Sequence, residues 1–305
     1  MERQRDIQLS ECVDVNDPAS ALRECRALWY ERWPAAGFSP VAALFDSVHA
    51  VFRGAYPGYH ACDTDYHDLH HTLAVFAASA RLLDGWSEDR GQPPADDLAA
   101  DVLSAALLHD VGYIRKRGEE GCTGARFTKT HVMRSADFVA VHARDLGLAR
   151  PRRVARLIWS TGLAGEYDDQ DWESDDERLA GALLASADLV GQMADRAYLE
   201  RLLFLYYEFR EAGFPGYETE FDILRKTLDF YQLTVRRLDE SLGGMRAHAR
   251  THFRLRRGLD RDLYAEAMER QMDYLKGILA DNSTNFRHKL RRMDLENVRP
   301  RVAVS

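Results

Sequence analysis

The chain has 305 residues, 46% of them apolar and 30% charged, and carries a net charge of −8. That length is ample for a buried core, in one large domain or two small ones, and the composition is that of a globular protein rather than a disordered or fibrous one. No stretch approaches the ~18 uncharged apolar residues of a membrane-spanning helix, and the opening "MERQRDIQLSECVDVND" lacks the apolar core of a secretory signal.

Helix signals dominate from the N-terminus on. Ser39-Pro40 supplies an N-cap and a first-turn proline, and "VAALFDSVHAVFRG" runs on to Gly54. Residues 65–84 carry an apolar stripe that stops at Gly85. Pro93-Pro94 precedes "ADDLAADVLSAALLHDVG". Further helices are expected over 130–146, from Pro151 through "RRVARLIWSTG", over 175–193, and over about 195–211 and 218–240. In 245–305, Tyr264, Met268, Met272, Leu275 and Leu279 recur at helical steps and form one apolar face, the mark of a further helical pair. Strand-like alternation is nearly absent. The fold class is therefore read as all-α, with loose ends at 1–17 and 298–305.

Three of these apolar helices carry groups that apolar helices do not need. "YHDLHH" places His67 and His71 four residues apart, one turn of a helix, with His70 pointing elsewhere. "AALLHDVG" ends a strongly apolar helix on His109 and Asp110, an imidazole and a carboxylate suited to a divalent metal of intermediate hardness. "LLASADLV" puts Asp188 inside an otherwise apolar helix, where a lone carboxylate is costly unless it is paired or bound to metal. One metal centre would satisfy all of them together.

The order His71, His109-Asp110, Asp188 resembles the H…HD…D signature of the HD-domain superfamily of metal-dependent phosphohydrolases. "YHDLHHTLAV" is similar to the YHNxxHxxxV opening of the cyclic-nucleotide phosphodiesterase branch, with Asp68 where that branch has Asn, and "LLHDVG" matches the hydrophobic-HD-[IV]G form. The resemblance covers about residues 60–195. It implies an HD-domain helical bundle over 60–240, flanked by a helical extension at 1–59 and a basic helical extension at 241–305. It implies that His71, His109, Asp110 and Asp188 hold a divalent metal (Mn, Mg, Fe, Co, Ni or Zn). His67 would protonate the leaving oxygen, and Asp110 would share in catalysis as a metal ligand. His131, in "THVMRSADF", would serve a second metal or the phosphate.

The expected reaction is hydrolysis of a phosphomonoester or phosphodiester, on a nucleotide or similar small metabolite. Metal lowers the pKa of its bound water from ~15.7 toward ~7, and an imidazole of pKa ~6.5 can protonate the leaving alkoxide. Asp68 would orient His67 or His71. The helix before Asp188, "VARLIWSTGLAG", has none of the further histidines of many dinuclear members, and the Gly-Tyr-Pro element of the cyclic-di-GMP branch is replaced by "VGYIRK". Two other functions share the signature: a di-iron oxygenase, and a nucleotide-binding regulatory module without turnover.

The segment "RKRGEEGCTGARFTKTH", 115–131, follows the HD pair and is expected to be a mobile loop at the mouth of the site. Arg115, Lys116 and Lys129 in it, and Arg196 eight residues past Asp188, are candidate phosphate contacts, weighed against ordinary surface charge, and Cys122 is read as an idle thiol. His49, on an apolar helix, is read as a core histidine. Cys12, Cys25, Cys62 and Cys122 form no CxxC pair, which points to reduced thiols and a cytoplasmic setting. Residues 245–305 hold 14 Lys/Arg against 8 Asp/Glu, and the rest 27 against 41. The acidic body argues against a nucleic-acid partner, and the basic tail is read as a solvated helical face. The expected partner is a small phosphoester substrate, with no membrane, and the C-terminal helical pair leaves a homodimer open.

Overall fold

A computed structural model describes residues 7–162, 167, 170–281, 283–295 and 298. The fold is all-α. Eleven α-helices among the described residues follow one another: α1 Pro18–Arg32, α2 Ser39–Phe52, α3 Leu69–Asp89, α4 Asp96–Leu108, α5 His131–His142, α6 Pro151–Trp159, α7 Asp175–Met193, α8 Tyr198–Glu211, α9 Glu220–Arg236, α10 His248–Arg257 and α11 Leu263–Ala280. An isolated bridge between Tyr59 and Lys116 is the only β pairing among these residues. No described helix is long and apolar enough to cross a membrane. The four cysteines form no disulfide.

The starts of these helices follow from local chemistry. Asp17 and Ser174 accept the free backbone N–H groups at the openings of α1 and α7, and Asp262 does so for α11. α7 adds Asp175, Asp176 and Glu177 in its first turn, where the helix dipole favours negative charge. Helix α3 is the spine. It packs against α1, α4, α7 and α10, and its inward residues, such as Val75, Phe76, Leu82 and Leu83, are fully covered.

Several expectations need correction. The helix read over 65–84 begins at Leu69, because Asp68 is its N-cap, and it continues four residues past Gly85. Gly85 is not a stop. A Cβ there would lie 1.9 Å from the His248 carbonyl oxygen, so glycine is what lets the start of α10 press onto α3. Helix α1 is a distinct element within what the sequence marks only as an N-terminal helical extension. Residues 7–17, expected to be loose, form a turn at Leu9–Glu11 and pack Ile7, Leu9, Cys12 and Val15 against the core. Residues 1–6 and 299–305 lie outside the described residues, whereas Val298 is buried. His49 is half-buried rather than a core side chain.

The two flanking segments are tied to α3 through one carboxylate. Asp84, fully buried, accepts from Arg32 of α1 (2.6 Å) and from His252 (2.8 Å) and Arg256 (2.7 Å) of α10. Burial alone would raise its pKa, but the hydrogen bonds from His252, Arg256 and Arg32 hold it well below the usual carboxylate range.

Candidate metal centre

Three helices deliver the donor groups to one point. Asp68 accepts from the His71 backbone N–H (3.0 Å), fixing the first turn of α3 and with it the direction of the His71 ring. Helix α4 ends at Leu108. The chain then turns, with Asp110 at φ −110 and ψ 5, so that adjacent residues His109 and Asp110 face the same space. Asp188 enters from the middle of α7.

The resulting distances are short. His71 Nε2 lies 3.2 Å from His109 Nε2, 3.2 Å from Asp110 Oδ2 and 3.2 Å from Asp188 Oδ1. His109 Nε2 lies 3.3 Å from Asp110 Oδ2. Ligand atoms of His71, His109 and Asp188 all fall within 4.8 Å of one another, close enough to share one ion. His109 donates its Nδ1–H to the Ala106 carbonyl (2.9 Å), which leaves Nε2 as the free lone pair, the tautomer a metal requires.

Asp110 Oδ2 supplies the test of fit. It is buried, sits beside two imidazole nitrogens, and still makes no hydrogen bond of acceptable geometry. Buried carboxylate oxygens are normally satisfied, and a cation among these four side chains would satisfy this one. Without an ion the group titrates as a unit. Burial disfavours the His71 imidazolium, but Asp110 and Asp188 outweigh it and push the pKa up to about 10. Burial would raise both carboxyls, yet the imidazoles hold Asp110 and Asp188 low.

Around this cluster sits a second layer. His67 lies just before α3, not on its face, and its ring centroid is 5.8 Å from that of His71. Its Nδ1 donates to Glu208 Oε2 (2.6 Å), and the other oxygen of Glu208 accepts from the Tyr66 N–H (2.7 Å). Tyr113 packs flat against His67 (4.3 Å between centroids, 10° between planes) and also against His131 (4.6 Å). His131 donates Nδ1–H to the Thr128 carbonyl (2.8 Å), so its Nε2 faces Asp110 Oδ1 at 3.7 Å. Burial lowers the His131 pKa, which keeps that nitrogen available as a lone pair.

Gly112 makes the placement of His131 possible. A Cβ there would sit 2.0 Å from the His131 carbonyl oxygen. Ser135 closes the same joint, donating to the His109 carbonyl (2.6 Å) and accepting from the Gly112 N–H (2.9 Å).

The phosphate candidates fall elsewhere. Arg115 is engaged by Asp63 (2.8 Å), and Lys129 donates to the Gly213 carbonyl (2.9 Å) over the Phe214 ring. Lys116 is exposed, and no contact links it to the cluster; Arg196 opens onto a different cavity. The segment 115–131 is laced down rather than loose. Arg134 holds Glu119 (2.9 Å), Glu211 accepts from Thr123 (2.6 and 2.7 Å), and Asp63 accepts from the Gly124 N–H (2.8 Å). The Asp68 carboxylate accepts from the His71 backbone N–H and is gripped by Arg201 (2.8 Å). His70 lies between Asn16 (2.9 Å) and Asp195 (2.7 Å).

Sequence reasoning missed Glu208, Tyr113, Ser135 and Arg201. The one available signal was "YYEFRE", in which Glu208 interrupts an aromatic run.

A family model described as Npun_R2479-like matches residues 117–245. That span takes in His131, Asp188 and Glu208 and stops short of His67, His71, His109 and Asp110. No curated protein matches the chain.

Proposed function

We propose that the chain is a metal-dependent phosphohydrolase acting on a small phosphomonoester or phosphodiester, a nucleotide or a metabolite of that kind. One observation carries the reading: His71, His109, Asp110 and Asp188 converge from three helices, and Asp110 Oδ2 is left without a hydrogen bond at their centre.

When bound there, a divalent ion supplies Lewis acidity, making water nucleophilic near neutral pH and drawing charge off the phosphoryl oxygens. The chain's own residues do the rest. His71 and His109 present Nε2 lone pairs, and Asp110 and Asp188 bring the negative charge that favours a divalent ion. Glu208 holds His67 by Nδ1, so Nε2, which lies 3.4 Å from the Tyr113 hydroxyl, is the nitrogen left to pass a proton to the leaving alkoxide. Tyr113 fixes the plane of that ring and shields one face from water. His131, with its Nε2 toward Asp110, either serves a second ion or meets a phosphoryl oxygen.

The test is elemental analysis of the wild type and of Asp110→Ala, purified without chelators, with Mn²⁺ titration followed by electron paramagnetic resonance. Hydrolysis of p-nitrophenyl phosphate and bis-p-nitrophenyl phosphate is measured on the same preparations. The wild type is expected to hold one or two ions per chain and to cleave one of the esters, and Asp110→Ala to lose both properties. Metal without cleavage across a broad ester panel would overturn the hydrolytic assignment and leave a binding module. Oxidation at a di-iron centre draws on the His131–Asp110 approach, and iron-dependent visible absorption with oxygen uptake would put it first.

A further inference from the structure

On α3, beside the cluster, lies a cavity of about 470 Å³ that none of His67, His109, Asp110, His131 or Asp188 lines. Its floor is made of small side chains, among them Ala74 and Ala77 of α3 and Gly191 of α7, and Leu9, Val13 and Met293 close it from the two terminal segments. Small floor residues leave room for an apolar body.

Charge in the wall is mostly cancelled. Arg81 is held by Glu24 (2.9 Å), and Arg201 by Asp68 (2.8 Å) and, more distantly, by Asp195 (3.9 Å), which also hydrogen-bonds His70 (2.7 Å). Two guanidiniums are not cancelled. Arg292 donates only to neutral oxygens, the Arg196 carbonyl (2.6 Å) and Gln271 Oε1 (2.6 Å). Arg196 itself, exposed at the rim, makes no ion pair among the described residues. Asp14 is the one wall carboxylate that no cation meets among those residues; it accepts from Asn16 (2.9 and 3.1 Å). The four arginines are equalled in number by Asp14, Asp68, Asp195 and Glu24, but the charge is unevenly placed, with Arg196 and Arg292 lying at one end without a carboxylate in ion-pair contact among the described residues. A second cavity of about 270 Å³ shares Arg196 and Arg292 and adds Arg270.

We propose that this cavity binds a small molecule with an apolar body and one anionic head, the head at Arg196 and Arg292 and the body on the alanine floor. Guanidinium forks suit carboxylate, phosphate and sulfonate groups alike, and the volume is that of a small-molecule site. The inference does not depend on metal or on hydrolysis.

Two fluorescent probes test it on the full chain. 8-Anilinonaphthalene-1-sulfonate has this chemistry, and N-phenyl-1-naphthylamine has the same body without the charge. The sulfonate probe is expected to bind saturably at one site per chain, and more tightly than the neutral one. Arg196→Glu, at an exposed position, is expected to keep the wild-type melting curve, to weaken the sulfonate probe about tenfold or more, and to change the neutral probe by less than about twofold. Arg292→Gln is expected to weaken the sulfonate probe in the same direction. Equal affinity of the two probes for the wild type overturns the proposal, as does unchanged sulfonate binding in Arg196→Glu or equal loss of both probes.

Discussion

His67 and Glu208 are 141 residues apart in the chain and 2.6 Å apart in the fold. The contact joins the loop before α3 to the C-terminal half of α8, and it commits Nδ1 of His67, leaving Nε2 beside the Tyr113 hydroxyl at 3.4 Å. Because Glu208 also accepts from the Tyr66 N–H, the carboxylate fixes both the backbone and the ring of the same turn.

Glu208→Gln keeps the shape of the side chain and removes its charge. Loss of an orienting partner behind a functional imidazole typically costs 10–100-fold. The expected outcome is a kcat lowered by about that factor, with metal content unchanged by elemental analysis. A variant that loses metal as well would make Glu208 a scaffold residue instead.

Metal should stabilise the fold through the cluster. An ion present at about 100 times its Kd adds about 2.7 kcal/mol, which for a chain of this size is roughly 4 °C in melting temperature. Chelator-stripped wild type is expected to melt lower than the Mn²⁺-loaded protein by that amount, and Asp110→Ala to show no difference with or without Mn²⁺. Differential scanning calorimetry reads both.

The same cluster sets a pH dependence. In the ion-free protein the folded-state pKa of His71 is raised to about 10, above the ordinary ~6.5 of an unfolded histidine. A raised pKa means that the folded state holds the proton more tightly, so this contribution is complete below about 6.5 and fades as pH climbs toward 10. Stripped wild type is therefore expected to lose melting temperature between about pH 7 and 10 relative to His71→Gln. Binding of metal must displace that proton. Titration calorimetry in buffers of different ionisation enthalpy is expected to report proton release, and affinity to rise with pH.

Gly85→Ala tests the spine. Its new Cβ would fall 1.9 Å from the His248 carbonyl oxygen, so α10 or α3 must shift. Overpacking of this kind costs about 1–3 kcal/mol, to be read from urea unfolding, and the metal cluster at the other end of α3 is expected to keep its ion.

What the sequence made legible was whatever depends on local pattern. Helix α7 runs over 175–193, as its apolar periodicity and acidic first turn predict. Asp188 stood out because a carboxylate inside an apolar helix has few reasons to be there. The errors came from long-range packing. Gly85 reads as a helix stop, and only the approach of α10 reveals why it is glycine. His67 reads as a helix residue until Asp68 takes the cap. Glu208 goes unnoticed because its partners, Tyr66 N–H and His67, lie more than a hundred residues earlier. Arg115 and Lys129 read as free cations because their partners, Asp63 and the Gly213 carbonyl, are distant in sequence.

Asp84 bears on how such a chain can vary. One carboxylate answers three donors, Arg32 on α1 and, more than 200 residues later, His252 and Arg256 on α10. No one of the four can drift alone. Asp84 replaced by a neutral residue leaves Arg32 only Glu88 and Arg256 only Glu31, and deletion of either terminal segment leaves Asp84 with the donors of the other alone. Relatives that have shed one flank are therefore expected to have lost the aspartate as well, so that the ends of the chain are inherited as a matched set.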